Sequence, residues 1–129
     1  MKKLVCFILS ACVVYSATAE TIVTCPSVAE IQSGHLNEWL PLYQDNEELA
    51  FDADLLKVKA HVTRFVKARW DYSYLESAHC FYEGDDPIFN RIVFAQDAWN
   101  PVSTSTWSWV VPRFAAECLS DVQSCGFIK

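Results

Sequence analysis

The sequence predicts an α+β domain, a small antiparallel β-sheet with short N- and C-terminal helices, stabilised by disulfides. Three observations predict it. Apolar and polar residues alternate over residues 56–74, strong turn chemistry follows Gly84, and an even set of four cysteines remains once an export leader is set aside.

The leader comes first. Lys2 and Lys3 precede an uncharged run over residues 4–15, and Ala17-Thr18-Ala19 supplies the small-x-small pattern that a signal peptidase accepts. A run of about 12 residues is shorter than the roughly 20 that a spanning helix needs, so no membrane span is expected. Residues 1–19 are therefore expected to be a signal peptide and residues 20–129 a single disulfide-stabilised domain, secreted or periplasmic. Leu9-Ser10-Ala11-Cys12 is an alternative processing site of lipobox type, which would anchor the protein through Cys12. The short apolar core before Cys12 and the apolar stretch after it argue for the first cleavage.

Ser27 with Glu30 three residues on is a capping box that starts a helix at Val28, and Gly34 is its natural stop. Val28 and Ile31 of that helix should face the core. Pro41 restricts any strand around it to a sheet edge. Over residues 56–74 the apolar residues fall on even positions, from Leu56 and Val58 to Trp70 and Tyr72, with a phase break at Arg64-Phe65 where a bulge fits. Leu55, Val58, Val62, Phe65 and Val66 also make a helical face. Abundant β-branched and aromatic residues favour the strand. Residues 75–83 and 88–95 form an expected hairpin around Gly84-Asp85-Asp86-Pro87. Trp107-Ser108-Trp109-Val110-Val111 reads as a strand ended by Pro112, and residues 114–119 as a short helix.

Cys25, Cys80, Cys118 and Cys125 allow three pairings. Spacing favours Cys25 with Cys80 and Cys118 with Cys125, because a short turn closes the second gap and the first would pin the N-terminal segment to the sheet. In the chain-entropy account the long bridge contributes about 4 kcal/mol and the short one about 2.5 kcal/mol. No Cys-x-x-Cys pair supports a zinc site.

Removing the leader takes Lys2 and Lys3 from the 10 basic residues and none of the 16 acidic ones, leaving a net charge of 8 − 16 = −8. Such a chain repels phosphate backbones and anionic lipid, so no nucleic acid is expected as a partner. His35, His61 and His79 lack helical metal-pair spacing, although His61 and His79 lie on strands that would let them meet. Glu83, Asp85, Asp86 and Asp97 lack the order of a calcium loop. There is no Gly-x-Ser-x-Gly elbow, every mature cysteine has a partner, and no carboxylate pair stands out. No catalytic residue, metal or cofactor is expected. The candidate binding residues are Trp99, Trp107 and Trp109, of which the last two share one face of a strand. Exposed, they would form a platform for a protein or a glycan; buried, they would fill the core, the commoner fate of such residues.

Thr24-Cys25-Pro26-Ser27, the aromatic-flanked Cys80-Phe81-Tyr82, a late tryptophan, and Cys118 with Cys125-Gly126-Phe127 recur in order. Together they resemble a family of small exported bacterial proteins of unknown function. The resemblance implies an envelope or secreted location and structural cysteines, and it carries no site residues. The functional expectation is an exported interaction module for a protein or glycan. The alternatives are a small inhibitor or effector acting through the loop at residues 100–106, and a hydrolase.

Overall fold

The computed structural model describes residues 20–42, 52–72, 77–85, 92–98 and 100–129. The chain runs β1 (Ile22–Thr24), α1 (Val28–Ser33), β2 (Leu40–Leu42), α2 (Asp52–His61), β3 (Val62–Asp71), β4 (Ala78–Gly84), β5 (Ile92–Gln96), β6 (Asn100–Pro101), β7 (Trp107–Val111), β8 (Ala115–Cys118), a 3₁₀ turn (Val122–Ser124) and β9 (Gly126–Ile128). The protein is predominantly β. A six-stranded sheet has the order β2-β5-β4-β3-β8-β7, and a three-stranded sheet the order β1-β9-β6. All of the pairings are antiparallel.

Helix α1 forms as its caps dictate. Ser27 Oγ accepts from the Glu30 amide at 3.1 Å, Glu30 Oε1 accepts from the Ser27 amide at 3.1 Å, and Gly34 closes the helix at φ 82°. Ile31 is fully buried and Val28 packs against the core. Pro41 lies in β2, an edge strand, where its missing N–H interrupts no inner ladder.

Two sequence expectations need correction. The period-two reading of residues 56–61 fails: α2 extends to His61, and β3 begins only at Val62. Leu55-Leu56-Lys57-Val58-Lys59-Ala60 is rich in strong helix formers, and one buried residue, Val58, suffices to seat that turn. β-Branched and aromatic residues concentrate beyond it. Register shifts between Val62 and Arg64 and between Phe65 and Lys67 put bulges at the phase break. The helix expected at residues 114–119 is instead strand β8, held between β3 and β7. Backbone pairing on both sides overrides the helix propensity of Ala115-Ala116-Glu117. The sheet is thus larger than expected, and a second sheet accompanies it. The expected hairpin is present as the β4–β5 pair, with much of its turn outside the described residues.

Both favoured disulfides form, Cys25–Cys80 and Cys118–Cys125. The first ties the segment after β1 to the middle of β4. The second ties β8 to the chain just before β9 and so couples the two sheets. Between them lies a core that includes Trp39, Trp70, Tyr82, Phe94 and Phe127. Its polar atoms are partnered locally: Trp39 Nε1 donates to the Thr24 carbonyl at 3.1 Å, and the Tyr82 hydroxyl donates to the Pro26 carbonyl. Burial pushes the Tyr82 hydroxyl well above the usual phenol range, and the charge of Glu30 adds to the shift.

Candidate aromatic surface

Register across β3, β8 and β7 builds two rows on one face of the large sheet. Ala68, Cys118 and Trp107 form one row; Trp70, Ala116 and Trp109 form the next. The two tryptophans of β7 share that face but meet different surroundings. Trp107 sits over Phe127 with ring centroids 5.0 Å apart and donates from Nε1 to the Gly126 carbonyl at 3.1 Å. It bridges the sheets and packs against the core. Trp109, one row further out, is 53% exposed. Trp99 lies outside the described residues.

Ala116 explains how two indoles fit beside one another. Its methyl group is the only side chain between Trp70 and Trp109 in the row, and the two rings meet edge to face at 6.0 Å and 87°. Tyr72 extends the cluster, 6.2 Å from Trp70, and Phe114 closes it, edge to face with Tyr72 at 5.9 Å and 79°. The Tyr72 amide donates to the Phe114 carbonyl at 2.9 Å, which fixes their spacing. Tyr72 and Phe114 are both more than half exposed, whereas Val111, opposite Ala115 in the register, belongs to the other face of the sheet. Sequence reasoning missed Tyr72 and Phe114. The alternation at residues 56–74 contained Tyr72 but gave no sign of its neighbour, because the β3–β8 pairing that joins them spans over 40 residues.

The opposite face of the same strands is charged. Lys67 Nζ and Arg69 Nη1 each donate to Glu117 Oε1 at 2.9 Å. Arg69 also grips Asp71 with two bonds, at 2.6 and 3.1 Å. Burial alone would raise the Glu117 carboxyl, but the bonds and charges of Lys67 and Arg69 outweigh it and hold the carboxyl below its usual range. Two cations meet two anions, so the group is self-neutralising. His79 stands opposite Arg69 in the register. Burial, helped by the Arg69 charge and opposed by Asp71, lowers its imidazole pKa.

The other polar candidates disperse. His61 Nδ1 lies 2.7 Å from Asp85 at one end of the β3–β4 ladder, whereas His79 lies toward the other, so these two histidines do not meet. Glu83 pairs with Arg64 at 2.7 Å. Asp86 is outside the described residues, and Asp97 is exposed. Among the described residues no three His, Cys, Asp or Glu side chains gather as a metal site. His35 bonds Ser33 Oγ at 2.8 Å, but both lie exposed where α1 ends. A cavity of about 220 Å³ is lined by Ile22, Thr24, Pro26, Asn37, Trp39 and Gln96, among others. The loop at residues 100–106 is tied down, by the Val102 amide to the Gly126 carbonyl at 2.9 Å and by Thr106 Oγ1 to the Ser124 carbonyl at 2.8 Å.

The fold and the site define a disulfide-linked, two-sheet β protein with an aromatic patch at one sheet edge. No protein-family model matches the chain, and no curated protein or solved structure is significantly similar to it. Among the described residues no helix is long and apolar enough to cross a membrane.

Proposed function

We propose that this is an exported interaction module, freed of residues 1–19 and acting in the periplasm or outside the cell, that holds a partner protein on the surface made by Tyr72, Trp109 and Phe114. The two disulfides support the compartment, because such bonds persist where thiols are not kept reduced. One observation carries the choice of site: three large aromatic side chains, each more than half exposed, are held in fixed mutual geometry on a rigid sheet. Aromatics in fixed geometry are what protein-binding hot spots use. Tyr72 and Phe114 stand near right angles, at 79°, so those two rings do not make one continuous flat shelf for a sugar ring to stack on. A protein partner therefore suits it better than a glycan.

The mature chain and its Trp109→Ala/Phe114→Ala variant, probed against a peptide-display library and a glycan array, test this. Peptides retained by the wild type and lost by a folded double variant are expected. Equal retention by both, or binding confined to glycans, rejects the reading.

A further inference from the structure

Among the described residues the large sheet has two edges, β2 and β7, and they are guarded unequally. At one edge, β2 carries Pro41, which removes a backbone donor, and proline on an edge strand blocks further pairing. At the other edge, β7 contains neither a charge nor a proline from Trp107 to Val111. Trp109, Val110 and Val111 of that strand are all about half exposed. Unprotected apolar edges invite strand addition, and proteins ordinarily blunt them. The register shift between Trp109 and Val111 turns the end of β7, which limits regular pairing to a short segment.

The unpaired edge and the local charge identify what fits there. An extended segment laid along β7 gains backbone hydrogen bonds as well as side-chain contacts. The local charge is also distinct from that of the acidic chain. Between Asp97 and Glu117 the only charged residue is Arg113, in the turn that follows Pro112. Arg113 is exposed, takes a left-handed φ of 65°, and makes no ion pair among the described residues.

We infer that β7 accepts an extended, apolar segment of a partner protein as an added strand, with an acidic residue of that segment beside Arg113. This rests on the aromatic surface being the docking site and adds the mode of recognition: side chains of the segment meet Trp109 and its neighbours while its backbone pairs with β7.

Short synthetic peptides alternating threonine and valine and ending in glutamate are the probe, read by amide hydrogen exchange of the mature protein. The expected result is protection of the β7 amides by at least about tenfold. An alternately N-methylated peptide should give none. Ending the peptide in lysine should weaken binding at low salt, and Arg113→Gln should erase that difference. Ser108→Lys keeps the fold, because residue 108 faces Glu117 across the β7–β8 pair, yet it should block the peptide. Binding that needs Trp109 but leaves the β7 amides unprotected overturns strand addition and leaves the aromatic surface standing. Binding indifferent to Trp109→Ala overturns the surface itself. Protection that rises with protein concentration without peptide gives the edge to a second copy and overturns the assignment to a partner.

Discussion

Trp70 and Trp109 meet edge to face across Ala116, the first almost fully buried and the second half exposed. Trp107, a row away on the same strand, spans the two sheets, and the two tryptophans of β7 therefore carry different loads. Trp107→Ala should cost about 3–5 kcal/mol, through lost burial and a cavity against Phe127. Trp109→Ala should cost about 1 kcal/mol, the worth of an aromatic pair with little cavity behind it. Denaturant unfolding of the two variants checks this; equal losses would refute the division of roles.

Tyr82 is buried on β4 with its hydroxyl donating to the carbonyl of Pro26, next to the Cys25–Cys80 bridge. Tyr82→Phe leaves that buried carbonyl without its donor and should cost about 1–3 kcal/mol. The alkaline limb follows from the raised pKa in the folded state. The stabilisation is complete below the unfolded value of about 10 and is lost as pH rises above it, because only the unfolded chain then releases the proton, at about 1.4 kcal/mol per pH unit. Stability measured from pH 9 to 11 should fall by about 1.4 kcal/mol less in total in Tyr82→Phe than in the wild type, most of it above pH 10, beyond the lysine contributions common to both.

Short-range signals told which elements form near the N-terminus. Ser27, Glu30 and Gly34 lie within one helix and set both of its ends, so α1 was legible in the sequence. The cysteine pairs were legible for a similar reason in one case, since seven residues separate Cys118 from Cys125. Where the outcome depended on distant pairing, the sequence misled. Ala115-Ala116-Glu117 is helical by propensity and a central strand by context. β1, β6 and β9 are two or three residues each, too short to show any period, and they form a sheet only because segments up to about a hundred residues apart pair on β9. The site divides likewise. Trp109 was visible as a large residue on a strand face; Tyr72 and Phe114 become part of its surface only through the β3–β8 pairing.

The charged face should set the acid limit of stability in two windows. His79 has a lowered pKa in the folded state, so the unfolded imidazole takes up its proton first. Stability from this source is present above about 6.5, the free imidazole value, and declines as pH falls toward the folded value. Glu117 has a lowered pKa as well. Its contribution is present above about 4.3 and is lost as pH falls through the folded value. His79→Gln should flatten the upper window alone. Glu117→Gln should flatten the lower one and cost about 1 kcal/mol at neutral pH, a figure kept small because solvent screens these half-open pairs. Unfolding free energies from pH 3 to 8 give the comparison, and a wild-type profile flat between 7 and 5 would remove His79 from the account.

Gln96 reverses the usual sign of a core substitution. Its side chain is almost fully buried on β5, where Oε1 accepts from Lys129 Nζ at 3.3 Å. That contact fixes the orientation of the amide, because the flipped form would set an NH₂ against an ammonium group. Nε2 is then a buried donor with no acceptor among the described residues. An orphaned donor costs its full desolvation, about 1–3 kcal/mol, whereas the long bond to a surface lysine returns less. Methionine has nearly the same length and volume and no donor to strand. Gln96→Met should therefore raise stability by about 1 kcal/mol, against the general tendency of core changes to lower it. Gln96→Glu should do the opposite of what charge pairing with Lys129 suggests, since a carboxylate at that depth must either shed water or take up a proton. Thermal unfolding of both variants beside the wild type decides the matter, and a loss in Gln96→Met comparable to that in Gln96→Glu would mean that Nε2 has an acceptor after all.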